Sequence, residues 1–161
     1  MRSRPTRFLL LAVPTAALAL AGCSNGTSTS AGPTAATSGA AGTSVQVALS
    51  EWSVSPTPTS VPAGDVTFVV TNNGPEDPHE FVIVKTDLDF AALPTDDTGT
   101  VDEAAGDMEV IGEIEDIPVG ETQELTETLS AGAYVLLCNI YEETEQESHY
   151  QEGMRIPFTV E

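Results

Sequence analysis

Basic residues are scarce in this sequence. Five of 161 residues are Lys or Arg, against 25 Asp or Glu, and the formal net charge is −20. Arg2, Arg4 and Arg7 precede every acid, so Lys85 and Arg155 alone stand among all the carboxylates. Such a surface repels nucleic acid and anionic lipid headgroups and attracts cationic partners. Cysteine is equally rare. Cys138 is the sole thiol after Cys23, so no disulfide can staple a domain built from residues 45–161, and its core must supply the stability. Two histidines, His79 and His149, are too few for a catalytic site with a second metal centre. A Cys–His nucleophile would need an oxyanion motif, and none is present, so the chain reads as a non-enzyme. Internal repeats and long helix-period segments are missing. The longest apolar run, residues 8–20, falls short of the roughly 20 residues that cross a bilayer.

That run, behind a basic start, fits the core of a secretory signal. It ends in Leu20-Ala21-Gly22-Cys23, which resembles the bacterial lipoprotein box. The resemblance implies a signal peptide over residues 1–22 and acylation of Cys23. It further implies a lipid anchor holding the protein at the outer, extracytoplasmic face of the cell membrane. Residues 24–44, SNGTSTSAGPTAATSGAAGTS, carry no charge and no large apolar side chain. They cannot bury enough surface to offset their ordering entropy, so residues 23–44 read as a flexible tether.

From Val45 the pattern changes to short apolar runs between turn signals. Residues 45–49, 66–71, 79–86, 110–117, 122–129, 134–138 and 155–160 read as strands. Pro56, Pro58 and Pro62 predict a loop after the first. Residues 87–107 read as a long acidic loop anchored by Leu88, Phe90, Leu93 and Val101, with a helical turn near residues 101–105. Glu127 has the parity of Leu125 and Leu129. A straight strand would turn it inward, so a bulge or a position at the rim is expected there. Seven or eight strands with turns at this spacing predict an all-β, antiparallel Greek-key sandwich over residues 45–161, expected to be monomeric.

Cys138, His149 and Met154 lie near the C-terminus at the spacing Cys-x10-His-x4-Met, and His79 opens an earlier apolar run. Parity puts Cys138 with Tyr134 and Leu136, and His79 with Phe81 and Ile83. If both faces point inward and the strands are antiparallel neighbours, the four side chains meet at one end of the sandwich. Two imidazoles, one thiolate and a thioether are the donor set of a mononuclear electron-transfer copper site.

On the apolar strand ending in Cys138, the run His149-Tyr-Gln-Glu-Gly153-Met154, the upstream His79 and the segment VTFVVTNNG, residues 45–161 resemble a small bacterial cupredoxin, a type 1 blue copper protein. The resemblance implies one copper, with His79, Cys138 and His149 as strong ligands, Met154 as the weak axial one, and His149 facing solvent. Two features depart from the common pattern. Ten residues, four of them Glu, separate Cys138 from His149, and Glu80 stands where many members have an Asn that braces the ligand loops. The function implied is single-electron transfer with a redox partner that carries a basic docking surface. A copper-delivery protein and a metal-free cupredoxin-like interaction domain are the alternatives.

Overall fold

The computed structural model describes residues 42–161. The signal peptide, Cys23 and nearly all of the tether expected over residues 23–44 lie outside them. The described chain forms β1 (Thr43–Ser50), β2 (Ser53–Thr57), β3 (Ser60–Val61), β4 (Gly64–Asn72), β5 (His79–Lys85) and β6 (Glu109–Ile117). It continues through β7 (Thr122–Leu129), β8 (Gly132–Leu137), β9 (Tyr141–Glu142), β10 (Glu147–Ser148), α1 (His149–Glu152) and β11 (Arg155–Val160).

Two sheets face each other, with strand orders β2-β1-β4-β7 and β3-β11-β8-β5-β6. This is the all-β sandwich read from the alternation. It holds nine strands rather than seven or eight, and its sheets are mixed, because β1 runs parallel to β4 and β3 parallel to β11. The added strands come from the proline-rich stretch expected to be loop. Pro56 lies in β2 opposite Val47. The strand is the edge of its sheet, where a residue without an N–H is tolerated.

Alternating side chains of both sheets fill the space between them. Val45, Val47, Leu49, Val66, Phe68 and Val70 from the first sheet meet Phe81, Ile83, Tyr134, Leu136 and Phe158 from the second. Phe68 packs against Phe81 and Phe158 at centroid distances of 5.4 and 5.8 Å. Such aromatic contacts add to the apolar area removed from water.

β5 and β8 do not alternate; they are buried on both faces. Val82, Val84, Val135 and Leu137 point away from the main core into a second cluster with Leu93, Val101 and Tyr150. The cover is the irregular segment 86–108, which explains why these strands read as unbroken apolar runs. Of its four expected anchors only Leu93 and Val101 are buried, whereas Leu88 and Phe90 are 37% and 36% exposed. The helical turn expected near residues 101–105 is reduced to one hydrogen-bonded turn, Ala105 N–H donating to Asp102 C=O at 3.0 Å, with no helix. Val101 instead pairs with Thr95 in an isolated bridge.

Glu127 needs no bulge. It sits on β7, an edge strand, facing the edge strand β6 of the other sheet. A Cβ at Gly112 of β6 would stand 2.6 Å from its carboxylate. The glycine therefore makes room for Glu127 at the rim, where the carboxylate keeps contact with water.

Candidate metal centre

β5 and β8 are antiparallel neighbours, with Val82 opposite Leu137. The start of β5 and the end of β8 therefore lie at one end of the sandwich, and His79 and Cys138 come together there. Between Cys138 and His149 the chain makes a small hairpin, β9 against β10. Gln146 takes a positive φ of 60° and donates to the Glu142 carbonyl at 2.7 Å. Ser148 then caps α1, its hydroxyl accepting from Gln151 N–H. This helix is too short to show a period in the sequence, and it carries His149 as its first residue. The ten-residue gap is thus a folded excursion.

Three donor atoms converge. His79 Nδ1 is 3.3 Å from His149 Nδ1, which is 3.3 Å from Cys138 Sγ. All three residues are buried. Met154 is fully buried in the same core cluster as Cys138. Its backbone ties the ligand loop shut: Cys138 N–H donates to Met154 C=O, and Met154 N–H donates to His149 C=O, both at 3.0 Å. Three of the four expected side chains, His79, Cys138 and His149, meet, and one expectation about them is corrected. His149 does not face solvent; it is 1% exposed. The chain's only tryptophan, Trp52, covers it edge-on at 5.0 Å between centroids. Trp52 seats closely because Gly153, at φ 128°, has no Cβ; one would stand 3.2 Å from the Trp52 carbonyl oxygen.

The electrostatics suit a soft cation. Burial, with the facing His149, pushes the His79 pKa below its usual 6.5, and burial does the same to His149. Both imidazoles are thus neutral at pH 7, the form that ligates. Burial pushes the Cys138 thiol up to about 12, against an opposing backbone hydrogen bond from Glu80. That N–H lies 3.2 Å from Sγ and would equally serve a metal-bound thiolate. Two neutral nitrogens and a sulfur aimed at one another in a dry pocket lack a positive charge between them. The donor set supplies what a type 1 copper requires.

The Glu80 carboxyl meets the Asn139 backbone N–H on the ligand loop; burial, then the nearby Glu103 and Glu113, push it up to about 7 against that bond. Asn139, the residue after Cys138, adds a brace through its side chain. Its side chain accepts from Val101 N–H at 2.6 Å, donates to Val101 C=O at 3.1 Å and donates to Glu103 at 2.8 Å. Ser148 donates to Gly99 C=O, and Tyr150 OH donates to Phe90 C=O and accepts from Leu93 N–H. Segment 86–108 is thus strapped onto the ligand loop from both sides.

Sequence reasoning missed Glu51 and Trp52, which occupy the turn between β1 and β2. The parallel pairing of β1 with β4 brings that turn beside residues 73–78, the approach to His79. One signal was available: the single tryptophan of the chain falls in a turn rather than on a core strand.

No family model matches the sequence, and neither does any curated protein. Solved structures do match. The dithionite-reduced auracyanin of Roseiflexus castenholzii is 25% identical with a TM-score of 0.55, covering 74% of this chain and 97% of its own. Auracyanin A of Chloroflexus aurantiacus, described as a "blue" copper protein, is 24% identical with a TM-score of 0.52, covering 73% and 98%. Rusticyanin of Thiobacillus ferrooxidans is 17% identical with a TM-score of 0.51, covering 74% and 79%. The described residues thus share the fold of these blue copper proteins over nearly the full length of the auracyanins, and they gather a His–Cys–His cluster that fits a type 1 site.

Proposed function

We propose that this protein is a lipid-anchored, extracytoplasmic blue-copper protein that carries single electrons. The observation that carries the reading is the convergence of His79 Nδ1, His149 Nδ1 and Cys138 Sγ in a buried cluster; Met154, buried in the same core cluster as Cys138, is the axial candidate. Copper, when bound, supplies a one-electron couple whose two states share this compromise of soft and nitrogen donors. The chain's own part is to hold the donors still. His79 and Cys138 are fixed by paired strands, His149 and Met154 by α1 and the backbone bonds that close the loop. Trp52 and the segment 86–108 keep water out. Burial of every donor also opposes rapid hand-off of the metal, which favours a carrier of electrons over a carrier of copper.

Electrons would reach the site past Trp52 and His149. The acidic tip of the β9–β10 hairpin lies on the same ligand loop and suits a redox partner with a basic docking surface. Among the described residues no helix is long and apolar enough to cross a membrane. In this reading membrane attachment rests on Cys23: lipid labelling should disappear in Cys23→Ala, and persistent labelling would remove the anchor.

The test of the copper reading is to add Cu(II) to the purified protein and record its visible spectrum. An intense thiolate-to-copper charge-transfer band, absent in Cys138→Ala, together with a reversible one-electron wave, is expected. A colourless protein without such a wave would leave a metal-free interaction domain.

A further inference from the structure

The turn between β1 and β2 supplies more than Trp52. The Glu51 carboxylate reaches into the metal end of the sandwich, where its Oε1 accepts from Asp77 N–H at 2.9 Å and Glu76 N–H at 3.2 Å. The same oxygen lies 3.8 Å from His79 Nε2, the ring nitrogen opposite the one that faces the donor cluster. Three buried polar atoms at this end lack partners, Glu51 Oε2, His79 Nε2 and His149 Nε2, and the first two belong to this pair of residues. A loop-capping role accounts for Oε1. It leaves unexplained why a second carboxylate oxygen and an imidazole nitrogen are sealed together.

Proton placement resolves this. If His79 carried its proton on Nδ1, a bare Nε2 lone pair would face a carboxylate in a dry pocket, and the Nδ1 proton would block the metal. With the proton on Nε2 the N–H dipole points at the carboxylate and the Nδ1 lone pair points at Cys138 and His149. Which nitrogen of a metal-binding histidine is free is set by the hydrogen bond or charge at the other. Two backbone N–H groups converge on Oε1, a donor environment that favours the ionised carboxylate.

We propose that Glu51 is a positioning residue for the metal centre: its carboxylate fixes His79 in the Nε2–H tautomer and biases the site towards the oxidised metal ion. The inference rests on the copper reading, and it adds a determinant of potential that the donor set does not contain. A buried negative charge beside a ligand stabilises the more positive oxidation state, so it favours Cu(II) over Cu(I).

Glu51→Gln is the discriminating variant, since its amide oxygen can still accept from Glu76 and Asp77. Loss of an outer partner of this kind changes metal affinity by roughly 10–100-fold. The ratio of Cu(II) to Cu(I) affinity is expected to fall about tenfold, which for a one-electron couple is a rise of about 59 mV in reduction potential. An unchanged or lowered potential would overturn the proposal, because a loop cap alone predicts no change. A second measurement needs neither variant nor copper. In the metal-free wild-type protein, nitrogen-15 spectra of the His79 ring should show the proton on Nε2; a proton on Nδ1 overturns the proposal. If the protein takes up no copper, the copper reading fails while the tautomer still decides the role of Glu51.

Discussion

The strap across the ligand loop yields a quantitative test at Asn139. Replacing it by Ala removes three side-chain hydrogen bonds, two of them to the backbone of Val101. Val101 is 4% exposed, so its N–H and C=O cannot both turn to water without undocking the segment. At about 1 kcal/mol for each bond lost, the variant should be destabilised by about 3 kcal/mol. The figure moves towards about 4 if the Val101 groups stay buried and unpaired, and towards about 2 if the segment relaxes into solvent. Urea unfolding of the metal-free protein reads this out. With a slope of about 1–3 kcal/mol per molar, the midpoint should drop by about 1–3 M. Exchange of the Val101 amide hydrogen should accelerate more than that of the Phe68 amide, which lies in the opposite sheet. Asn139→Asp keeps an acceptor for Val101 N–H, loses both donors and adds a charge beside Glu103. It should be no more stable than the alanine variant at pH 7 and should recover as pH falls through the carboxylate range. A loss below about 1 kcal/mol in Asn139→Ala would refute the argument, because segment 86–108 would then be held by Leu93, Val101 and Tyr150 packing alone.

Four further outcomes are expected. The Cys138 thiol titrates near 12 in the folded protein against 9.0 for the free group. Between those values the unfolded chain releases a proton that the folded chain keeps, so metal-free stability is intact below pH 9 and falls above it by up to about 1.4 kcal/mol per pH unit. The same protonated thiol must lose its proton to a metal. Calorimetry in two buffers of different ionisation enthalpy should therefore show release of about one proton per copper at pH 7, and zero release would mean a preformed thiolate. Phe68→Ala, at the centre of the main core, should cost about 3–5 kcal/mol in urea unfolding; a loss under 1 would deny its place between Phe81 and Phe158. Electron exchange with a cationic partner should slow as salt rises from about 10 to 150 mM, and a flat profile would remove charge steering.

Much of the site was legible because a strand writes its two faces into alternate residues. His79, Phe81 and Ile83, and Tyr134, Leu136 and Cys138, declare one inward face each, and antiparallel neighbours do the rest. What lay beyond reach depended on pairings with no local signature. Glu51 and Trp52 reach the histidines only because β1 runs parallel to β4, a partnership that nothing in residues 43–50 announces. Pro56 argued for a loop because a proline rules out an interior strand but is silent about an edge. The solvent-facing role expected of His149 came from the family pattern, and Trp52, in the turn between β1 and β2, removes it. The covering role of segment 86–108 was hidden for another reason. Its contacts run through backbone carbonyls of Phe90, Gly99 and Val101, which carry no residue-specific mark.

The hairpin between Cys138 and His149 changes what distance along this chain means. His149 N–H donates to Ile140 C=O at 2.9 Å, so the covalent path through residues 141–148 is short-circuited two residues after the thiol. The entropy of closing that path is met by the hairpin's own hydrogen bonds rather than by the metal. Residues 143–146 form the tip of that closed hairpin, so changes to their length or charge are expected to leave the donors where β8 and α1 put them. Under the proposed function, partner recognition and the metal centre would then be separately variable although only a few residues apart, and the tip is the natural place to graft a binding sequence.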